Sequence, residues 1–476
     1  MRPFARFVRR SSSRPAVLAA SLAVCVAALP LGAAPAAAQL STAGSLLLQQ
    51  GSGGIPGSAD GVEHFGRALV AGDFDGDGRD DLAIAAPFES AAPVAEVGAV
   101  TVVYFAAGLP VGSVSEVWTL ESLTTETASQ DDHFGSALAT GDFDADGFDD
   151  LAVGAPGDDV VGFDDNGAVN VLYGAAAGLS LARDQIWIQN DIVVNGDEDG
   201  DRFGSALAAG DFDGDGYDDL AIGVPFEDYI AVADAGAIYQ LIGGVTGLDT
   251  GSGAPFVVQE TIAAGASEPG DEFGSELSAG DLDGDGVDDL LVASPGEDYD
   301  DPGFSIADTG RVHLLSGTAG LGADPDSAAA LDRDLFDQAV ELGDRFGTTV
   351  AIGRFAGGAG ASLAIGAPFV TVDVFQDAGT VFVADGPTLD PIVSPQAFSQ
   401  AGVVPGVEES GDRLGEALAV GDFDGNGFDD LAVGVPYEGV GAIPEAGAVN
   451  ILWSSGLFRD GFEAAGTGAW SNAVVN

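Results

Sequence analysis

Gly210-Asp211-Phe212-Asp213-Gly214-Asp215-Gly216-Tyr217-Asp218-Asp219-Leu220 is the stretch that decides the fold of this chain. Counted from Asp211, carboxylates fall at positions 1, 3, 5 and 9, and position 7 can offer its backbone carbonyl. Five oxygens in this order suit a hard cation such as Ca²⁺. Glycine at position 6 lets the chain turn inward without a Cβ clash. The stretch therefore predicts a calcium loop that leads directly into an apolar strand at 220–225.

The same spacing occurs five times along the chain. Position 7 varies freely, as expected of a ligand that contributes only its carbonyl. In chain order, the predicted metal ligands are Asp73, Asp75, Asp77, Arg79 and Asp81; Asp142, Asp144, Asp146, Phe148 and Asp150; Asp211, Asp213, Asp215, Tyr217 and Asp219; Asp281, Asp283, Asp285, Val287 and Asp289; and Asp422, Asp424, Asn426, Phe428 and Asp430.

Two alternatives to a structural calcium loop can be weighed from the sequence. An EF-hand needs a bidentate Glu at position 12 and a following helix, whereas position 12 here is apolar and lies within a predicted strand, as at Ile222. A merely solvated acidic turn would not need the same spacing five times. Carboxylates about 5 Å apart repel by about 3 kcal/mol per pair at an effective dielectric of 20, so we expect these loops to open without a cation. About five structural Ca²⁺ ions are predicted.

Residues 1–38 have the composition of an export signal. Five arginines precede an apolar run from Ala16 to Gly32, and Ala36-Ala37-Ala38 supplies a cleavage site. We expect cleavage near Ala38, with an uncleaved anchor as the alternative. The mature protein is then secreted or displayed on the cell surface, or held in the periplasm. Since Cys25 lies in the leader, the mature chain has no cysteine and no disulfide.

The charge of the chain is strongly negative. All 15 basic residues are arginine; removing the five in the leader leaves ten against 76 acidic residues, a formal net charge of −66. Nucleic acids and anionic membranes are excluded as partners, because binding to either would begin with repulsion.

A Phe-Gly dipeptide opens each repeating unit. It stands at residues 65, 134, 203, 273 and 346, with Leu414-Gly415 as the sixth, at spacings of 69, 69, 70, 73 and 68. Each unit holds four short strand-like segments, a pattern typical of a β-propeller built from four-stranded antiparallel blades. Residues 45–50 match a fourth strand, and the last unit supplies only three. The prediction is an all-β, six-bladed propeller whose ring is closed by the amino-terminal strand, with seven blades as the alternative.

With these motifs in register, the chain resembles the FG-GAP repeat family, best known from the propeller of integrin α subunits. The resemblance rests on Phe203-Gly204, the aspartates of 211–219, and Gly-x-Pro endings such as Gly154-Ala155-Pro156. It covers roughly residues 45–457, so the predicted domain is 39–457, followed by a tail at 458–476. The resemblance implies a calcium-stabilised extracellular propeller that binds a ligand in adhesion or recognition, and it does not name that ligand.

Unit five departs from the repeat. Arg354, Ala356, Gly358 and Ser362 occupy the ligand positions, so no calcium is expected there. Either the Arg354 guanidinium replaces the cation, or a dispensable site has decayed.

The sequence offers little catalytic machinery. His64 and His133 directly precede Phe-Gly and are interpreted as surface residues, and His313 as a half-buried strand residue. Nucleophile elbows, phosphate loops and His-Glu zinc motifs are absent from the sequence. Carboxylate pairs are plentiful, so a hydrolase or lyase built into the propeller remains an alternative.

Variable loops on the face opposite the calcium loops are the candidate recognition surface. They are 157–166, 190–201, 226–235 and 296–309. Their acidic residues are Asp158, Asp159, Asp164, Asp165, Glu227, Asp228, Glu297, Asp298, Asp300 and Asp301. We expect a monomeric, non-catalytic module that binds an extracellular protein or glycan. A structural surface-layer component is a further alternative.

Overall fold

The computed structural model describes residue 56 and residues 65–452, except 92–93, 106–113, 124–127, 161, 194–195, 231, 252–255, 263–266, 302–303, 319–321, 333–340, 356–360, 386–392, 401–407, 422–427 and 438–447. The predicted leader, the amino-terminal strand at 45–50 and the predicted tail lie outside these residues.

The described chain is almost entirely β-structure, arranged as consecutive antiparallel sheets. Sheet one comprises β1 (Leu69–Gly72), β2 (Asp81–Ala86), β3 (Ala99–Tyr104) and β4 (Val114–Trp118). Sheet two comprises β5 (Leu138–Gly141), β6 (Asp150–Ala155), β7 (Ala168–Tyr173) and β8 (Ser180–Trp187). Sheet three comprises β9 (Ala206–Gly210), β10 (Asp219–Val224), β11 (Ala237–Leu241) and β12 (Phe256–Val257).

The second half of the chain continues this pattern. Sheet four comprises β13 (Leu277–Gly280), β14 (Asp289–Ser294), β17 (Arg311–Thr318) and β18 (Gly322–Leu331), with a small hairpin of β15 (Tyr299–Asp301) and β16 (Phe304–Ile306) in its second loop. Sheet five comprises β19 (Thr349–Gly353), β20 (Ser362–Ala367), β21 (Thr380–Asp385) and β22 (Val393–Phe398). Sheet six comprises β23 (Leu418–Gly421), β24 (Asp430–Val435) and β25 (Ala448–Leu452). Among the residues that the structure describes, helix is limited to single turns at Leu120–Ser122, Gln189–Ile192 and Gln259–Thr261.

The second strand of each sheet shows why these segments are continuous apolar runs. Every residue of β6, β10, β14 and β20 is buried. A strand alternates its side chains between two faces, so complete burial requires cover on both sides. The neighbouring sheets supply that cover. The first strands of successive sheets pack in chain order, β1 on β5, then β9, β13, β19 and β23, and one core cluster joins Val171 of sheet two to Phe203, Leu220 and Tyr239 of unit three.

The Phe-Gly dipeptide locks each unit to the one before it. The phenylalanines at 134, 203, 273 and 346 are all fully buried, and Phe203 N–H donates to the carbonyl of Asn166 in the preceding unit at 2.9 Å. The glycine that follows has a left-handed φ of 87° at Gly204. The glycine of the Gly-x-Pro ending in the preceding unit packs against this same dipeptide. A Cβ built on Gly154 of unit two would lie 2.1 Å from the carbonyl oxygen of Gly204 in unit three. The two halves of the motif are therefore two sides of one contact between units.

The first and last sheets differ from the inner ones. Leu69 of β1 is 58% exposed, whereas its equivalents Leu207 and Leu277 are 8% and 7% exposed. Sheet six has three strands among the described residues.

Within the described part of the chain, no helix has both the length and the apolar character needed to cross a membrane.

Candidate metal centres

Four of the predicted calcium loops are described, and each brings three carboxylates together. Oxygens from positions 1, 3 and 5 lie within 4.8 Å of one another in loops two to four, and oxygens from positions 1, 3 and 9 do so in loop one. The converging residues are Asp73, Asp75 and Asp81; Asp142, Asp144 and Asp146; Asp211, Asp213 and Asp215; and Asp281, Asp283 and Asp285. These groups could hold a metal ion. An all-oxygen set of this kind suits Ca²⁺ better than a soft metal.

Backbone hydrogen bonds hold the carboxylates in place. In loop three, Asp215 N–H donates to Asp211 Oδ1 at 3.0 Å and to Asp213 Oδ1 at 3.1 Å, and Gly216 N–H donates to Asp211 Oδ2 at 3.0 Å. Loops two and four repeat this pattern. The residue at position 7 donates its own N–H to position 5, as Tyr217 does to Asp215 at 3.0 Å.

The aspartate at position 9 connects the loop to the sheet. Asp150 is 1% exposed; its Oδ2 accepts from Phe143 N–H at 2.9 Å and its Oδ1 from Gly174 N–H at 2.8 Å, at the end of β7. Asp219 and Asp289 make the same two contacts. Position 9 therefore joins the loop to the end of the third strand, whatever it contributes to an ion.

Burial raises the pKa of these position-9 carboxyls. Burial brings the pKa of Asp150 to about 8 and the pKa of Asp219 to about 7. The negative charges of neighbouring loop aspartates raise both pKa values further, whereas hydrogen bonds from backbone N–H groups lower them. Burial also raises the pKa of Asp81 and the pKa of Asp289, each to about 6. A divalent cation would reverse this effect, because its charge favours the ionised carboxylate.

Position 8 has a role that our sequence reasoning missed. Asp218 Oδ2 accepts from Asp142 N–H at 3.0 Å, so unit three holds the first residue of the loop in unit two. Asp149, Asp288 and Asp429 bind position 1 of the preceding unit in the same way, at 2.7, 3.2 and 2.8 Å. The doubled aspartate before each second strand was the available signal, since the predicted calcium ligation uses only one of the two.

An arginine approaches the second loop. The Arg183 guanidinium pairs with Asp144 Oδ2, and the Asp144 side chain is 2% exposed. Asp144 Oδ1 still accepts from Asp146 N–H inside the loop at 3.1 Å. Arg183 also stacks over the Tyr173 ring at 4.5 Å. One carboxylate oxygen thus faces the loop interior and the other faces a fixed cation.

The remaining two loops are only partly described. Asp422, Asp424 and Asn426 lie outside the described residues, while Asp430 is buried and Phe428 is 40% exposed. In unit five, Arg354 is exposed and Ser362 is buried; Ala356 and Gly358 lie outside the described residues. The proposed replacement of the cation by Arg354 stays a prediction.

The opposite ends of the sheets carry the predicted variable loops. The second loop of each unit is tied to the turn before the next Phe-Gly, as when Arg202 N–H donates to the Asp165 carbonyl at 3.2 Å. This face is separate from the calcium loops, which are joined instead to the third loops of the following units, as in the bond from Gly244 N–H to the Phe143 carbonyl.

Three acids assigned to the recognition surface are instead buried. Asp158, Glu227 and Glu297 are 3%, 9% and 5% exposed. Gln189 Nε2 donates to Glu227, and Gln259 Nε2 donates to Glu297, so each acid belongs to a contact between units. The surface prediction was wrong for all three acids. For Glu227 and Glu297 the reason is that a sequence does not show that a glutamine of the preceding unit reaches them. Asp159, Asp164 and Asp228 are exposed as expected.

Burial raises the pKa of these inward-facing acids. The pKa of Glu227 rises to about 8, and the nearby negative charge of Asp201 adds to this rise. The pKa of Asp201 itself rises to about 7. Glu297 is likewise raised to about 8 by burial, against the opposing charge of Arg311. The same arrangement at two successive unit interfaces indicates a structural role.

A cavity on this face lies next to the buried acids. It encloses about 330 Å³ and is lined by Arg202, Phe226, Asp228, Asp234 and the turn at 198–201. Three apolar side chains project from the neighbouring loop tips and turns: Ile230, Val374 and Leu342 are 85%, 80% and 74% exposed.

His313, expected to be half-buried, is fully buried and packs edge-on against Phe273 at 5.3 Å.

The repeats of this chain match a known family of sequence repeats. The sequence profile of the FG-GAP repeat matches residues 65–103, 134–172, 203–239, 273–315 and 414–452. The first matched residue of each segment is the Phe-Gly or Leu-Gly position from which each unit was counted. Unit five, which lacks the loop aspartates, is not among these segments.

Related proteins share only part of their length with this chain. Integrin alpha-PS2 of Drosophila melanogaster is 32% identical over 243 residues, which are 49% of this chain and 15% of that protein. Phosphatidylinositol-glycan-specific phospholipase D of Rattus norvegicus is 34% identical over 161 residues, which are 34% of this chain and 18% of that protein. The chain thus spans less than a fifth of either relative.

Among solved structures, a rhamnogalacturonan lyase of Bacillus licheniformis is 12% identical, and its alignment covers 81% of this chain and 70% of that one at a TM-score of 0.36. At that score neither fold nor activity is transferred.

Proposed function

We propose that this member of the FG-GAP repeat family is an exported, calcium-stabilised propeller that acts as a non-catalytic recognition or adhesion module. The observation that carries the proposal is the convergence of three carboxylates in each of four equivalent loops. A cation there would relieve the repulsion among the aspartates and link each loop to its sheet through position 9.

The proposed architecture is a six-bladed ring closed by the amino-terminal strand. Two observations support a circular arrangement. First, consecutive described units contact each other through the Phe-Gly dipeptide. Second, the positive charge of Arg67 in unit one lowers the pKa of Glu276 in unit four, although burial has the larger effect and raises that pKa. Units three apart would face each other across the centre of a six-membered ring.

The proposed ligand is an extracellular protein or glycan, bound by the face that carries the variable loops. Exposed apolar tips such as Ile230 and Val374 support this assignment, because calcium binding does not explain them and apolar anchors are typical of contact surfaces. A non-catalytic role is favoured because the acids with raised pKa on this face recur at successive interfaces and are engaged by glutamines.

Calorimetric titration of chelator-treated mature protein with Ca²⁺ tests the metal part of the proposal. We expect about five sites and a large rise in melting temperature, since a ligand that binds only the folded state stabilises it. Asp215→Ala should remove one site, whereas Ser362→Ala in unit five should remove none. Equal losses in the two variants, or no stabilisation by calcium, would refute the loop assignment.

Screening against a glycan array and purified surface proteins tests the recognition part. A ligand found with the calcium-loaded protein should be lost on Ile230→Asp or Val374→Asp, while Asp215→Ala, on the other face, should retain it in saturating calcium. A ligand insensitive to both loop-tip variants would place recognition elsewhere. Depolymerisation of a bound glycan would overturn the non-catalytic assignment.

A further inference from the structure

A mixed histidine and carboxylate cluster lies on the variable-loop face, away from the calcium loops. One ligand atom each from Glu96, Asp131 and His133 lies within 4.8 Å of the other two. His133 Nε2 is 3.3 Å from Glu96 Oε2, and the two side chains are 28% and 45% exposed. We propose that this cluster is a transition-metal site, taking Zn²⁺ or a similar borderline ion.

The donor set separates this cluster from the calcium loops. Calcium in proteins takes oxygen ligands, whereas an imidazole nitrogen suits Zn²⁺, Cu²⁺ and Ni²⁺. Two carboxylates and one histidine supply three of the four positions that zinc prefers, which leaves one for water. The group is partly exposed, so an ion can enter without any opening of the fold.

The backbone fixes the three residues on two adjacent segments. Asp131 N–H donates to the Ala95 carbonyl at 3.2 Å, His133 N–H to the Glu96 carbonyl at 3.2 Å and Phe134 N–H to the Val97 carbonyl at 3.0 Å. Phe88 packs edge-on against the His133 ring at 4.9 Å between centroids, which limits rotation of the ring. A site on a rigid scaffold loses less entropy when it binds an ion.

The other units provide an internal comparison. The same backbone pairing joins Asp165 to Arg202, Asp234 to Glu272, Asp308 to Arg345 and Asp377 to Arg413. In those units the position of Asp131 is glycine, namely Gly200, Gly270, Gly343 and Gly411, each with a left-handed φ between 78° and 91°. Asp131 takes φ 67° at this place. Only the interface between units one and two, among those described, combines acid, acid and histidine at the three positions.

The alternative for these residues is a simple ion pair between His133 and Glu96. Arg345 and Glu272 make such a pair elsewhere on this face, at 2.5 Å. That alternative gives the Asp131 carboxylate no role beyond the hydrogen bond that it accepts from Gln130 Nε2 at 3.1 Å, and it does not explain an acid at a position that is glycine in units three to six.

Titration of the calcium-saturated protein with Zn²⁺ tests the proposal, because filled loops do not compete. Wild type should bind one equivalent that Asp131→Gly and His133→Arg do not bind. Both variants restore the residue found in sister units, so they should keep the melting temperature of the zinc-free protein. Co²⁺ gives a second readout, since its visible absorption changes when an imidazole nitrogen joins the coordination sphere.

Every result of this experiment decides between the two assignments. One zinc equivalent that both variants lose, with the cobalt band lost in parallel, supports the site. His64 remains in all three proteins, so adventitious binding to that residue would survive both changes. Equal zinc binding in wild type and variants, or none in wild type, would overturn the proposal and leave an ion pair only.

Discussion

At the scale of single residues, the charges of this protein are divided between two environments. Exposed acids such as Asp228 give the chain its net charge, whereas Glu227 lies beneath them and accepts a hydrogen bond from Gln189. Gln189 Nε2 also donates to Tyr239 Oη at 2.8 Å. A carboxyl held in this way costs less to bury when it is protonated.

This difference predicts how stability depends on pH. Burial raises the pKa of Glu227 from 4.5 to about 8, so the folded protein keeps a proton that the unfolded chain releases near pH 4.5. Stability should therefore fall as the pH rises from about 4.5 to about 8, and change little above that range for this group. Glu227→Gln should reduce the fall in melting temperature by about 1 °C for each kcal/mol of stability that the proton contributes, as expected for a chain of this length.

Thermal unfolding at pH 5 and pH 8.5 in saturating calcium measures this effect. Asp228→Asn is the matched control, because it removes a neighbouring exposed acid whose charge is the smallest of the named causes that raise the pKa of Glu227, and it should keep most of the pH dependence. If all three proteins lost the same stability between the two pH values, Glu227 would not be the group responsible.

At the scale of elements, the contact between units is a close approach of two backbones. A Cβ on Gly223 would lie 2.1 Å from the Gly274 carbonyl oxygen, and that atom belongs to backbone that cannot rotate away. Units one and four carry Ala85 and Ala293 at this place, so the spacing between sheets can widen slightly. Gly223→Ala should cost about 1–3 kcal/mol, the usual range for overpacking.

Urea unfolding in saturating calcium checks this expectation. Gly244→Ala is the control, because a Cβ there would meet its nearest atom at 3.9 Å. Similar losses in the two variants would mean that the loss of glycine itself, and not the contact between units, sets the cost.

The carboxylate at position 8 predicts a second kind of loop variant. Asp218→Ala removes the acceptor for Asp142 N–H and leaves the backbone bond from Asp218 N–H to the Asp142 carbonyl at 3.3 Å. An unpaired donor costs about 1–3 kcal/mol when it is buried. Stability should fall while calcium stoichiometry stays unchanged, in contrast to Asp215→Ala, which should lower both. Loss of a calcium equivalent in Asp218→Ala would make position 8 a ligand.

At the scale of the whole molecule, closure of the ring requires a surface that covers sheet one. Its exposed Leu69 requires a neighbour if the ring is to close. In the described pairs, position 8 of one unit binds position 1 of the unit before it. The corresponding residues across a closed six-unit ring are Asp80 and Asp422.

A disulfide tests this closure directly. Asp149 N–H donates to the Asp73 carbonyl at 3.2 Å, so Asp73→Cys with Asp149→Cys should cross-link and serve as the reference pair. Disulfides need Cα atoms about 4.4–6.8 Å apart. Asp80→Cys with Asp422→Cys should cross-link equally well, as judged by thiol counting, in a mature chain that otherwise has no cysteine. Cross-linking of the reference pair alone would refute a closed six-unit ring and favour seven.

The sequence was sufficient for features that repeat and insufficient for features that join one unit to another. The period of Phe-Gly and the apolar second strands predicted sheets of four antiparallel strands because each signal lies within one unit. In loops two to four the aspartates at positions 1, 3 and 5 lie close together, because they are alternate residues of one tight turn; their binding of calcium stays a prediction. Glu227 was misplaced and Asp218 overlooked because their partners, Gln189 and Asp142, lie 38 and 76 residues away. The cluster at His133 was missed for the same reason.

The link between position 8 of one unit and position 1 of the one before has a consequence for how such chains change over generations. Units two, three, four and six present the same carboxylate acceptor to the same backbone donor of the unit before. A stretch of about 69 residues that is duplicated or deleted in the gene therefore leaves a junction whose hydrogen bonds are already matched. Unit five marks the lower limit of this tolerance, because Ala361 at position 8 keeps only the backbone bond to Asp281, at 3.1 Å. Repeat number in such proteins can thus drift by whole units, with sequence divergence following later.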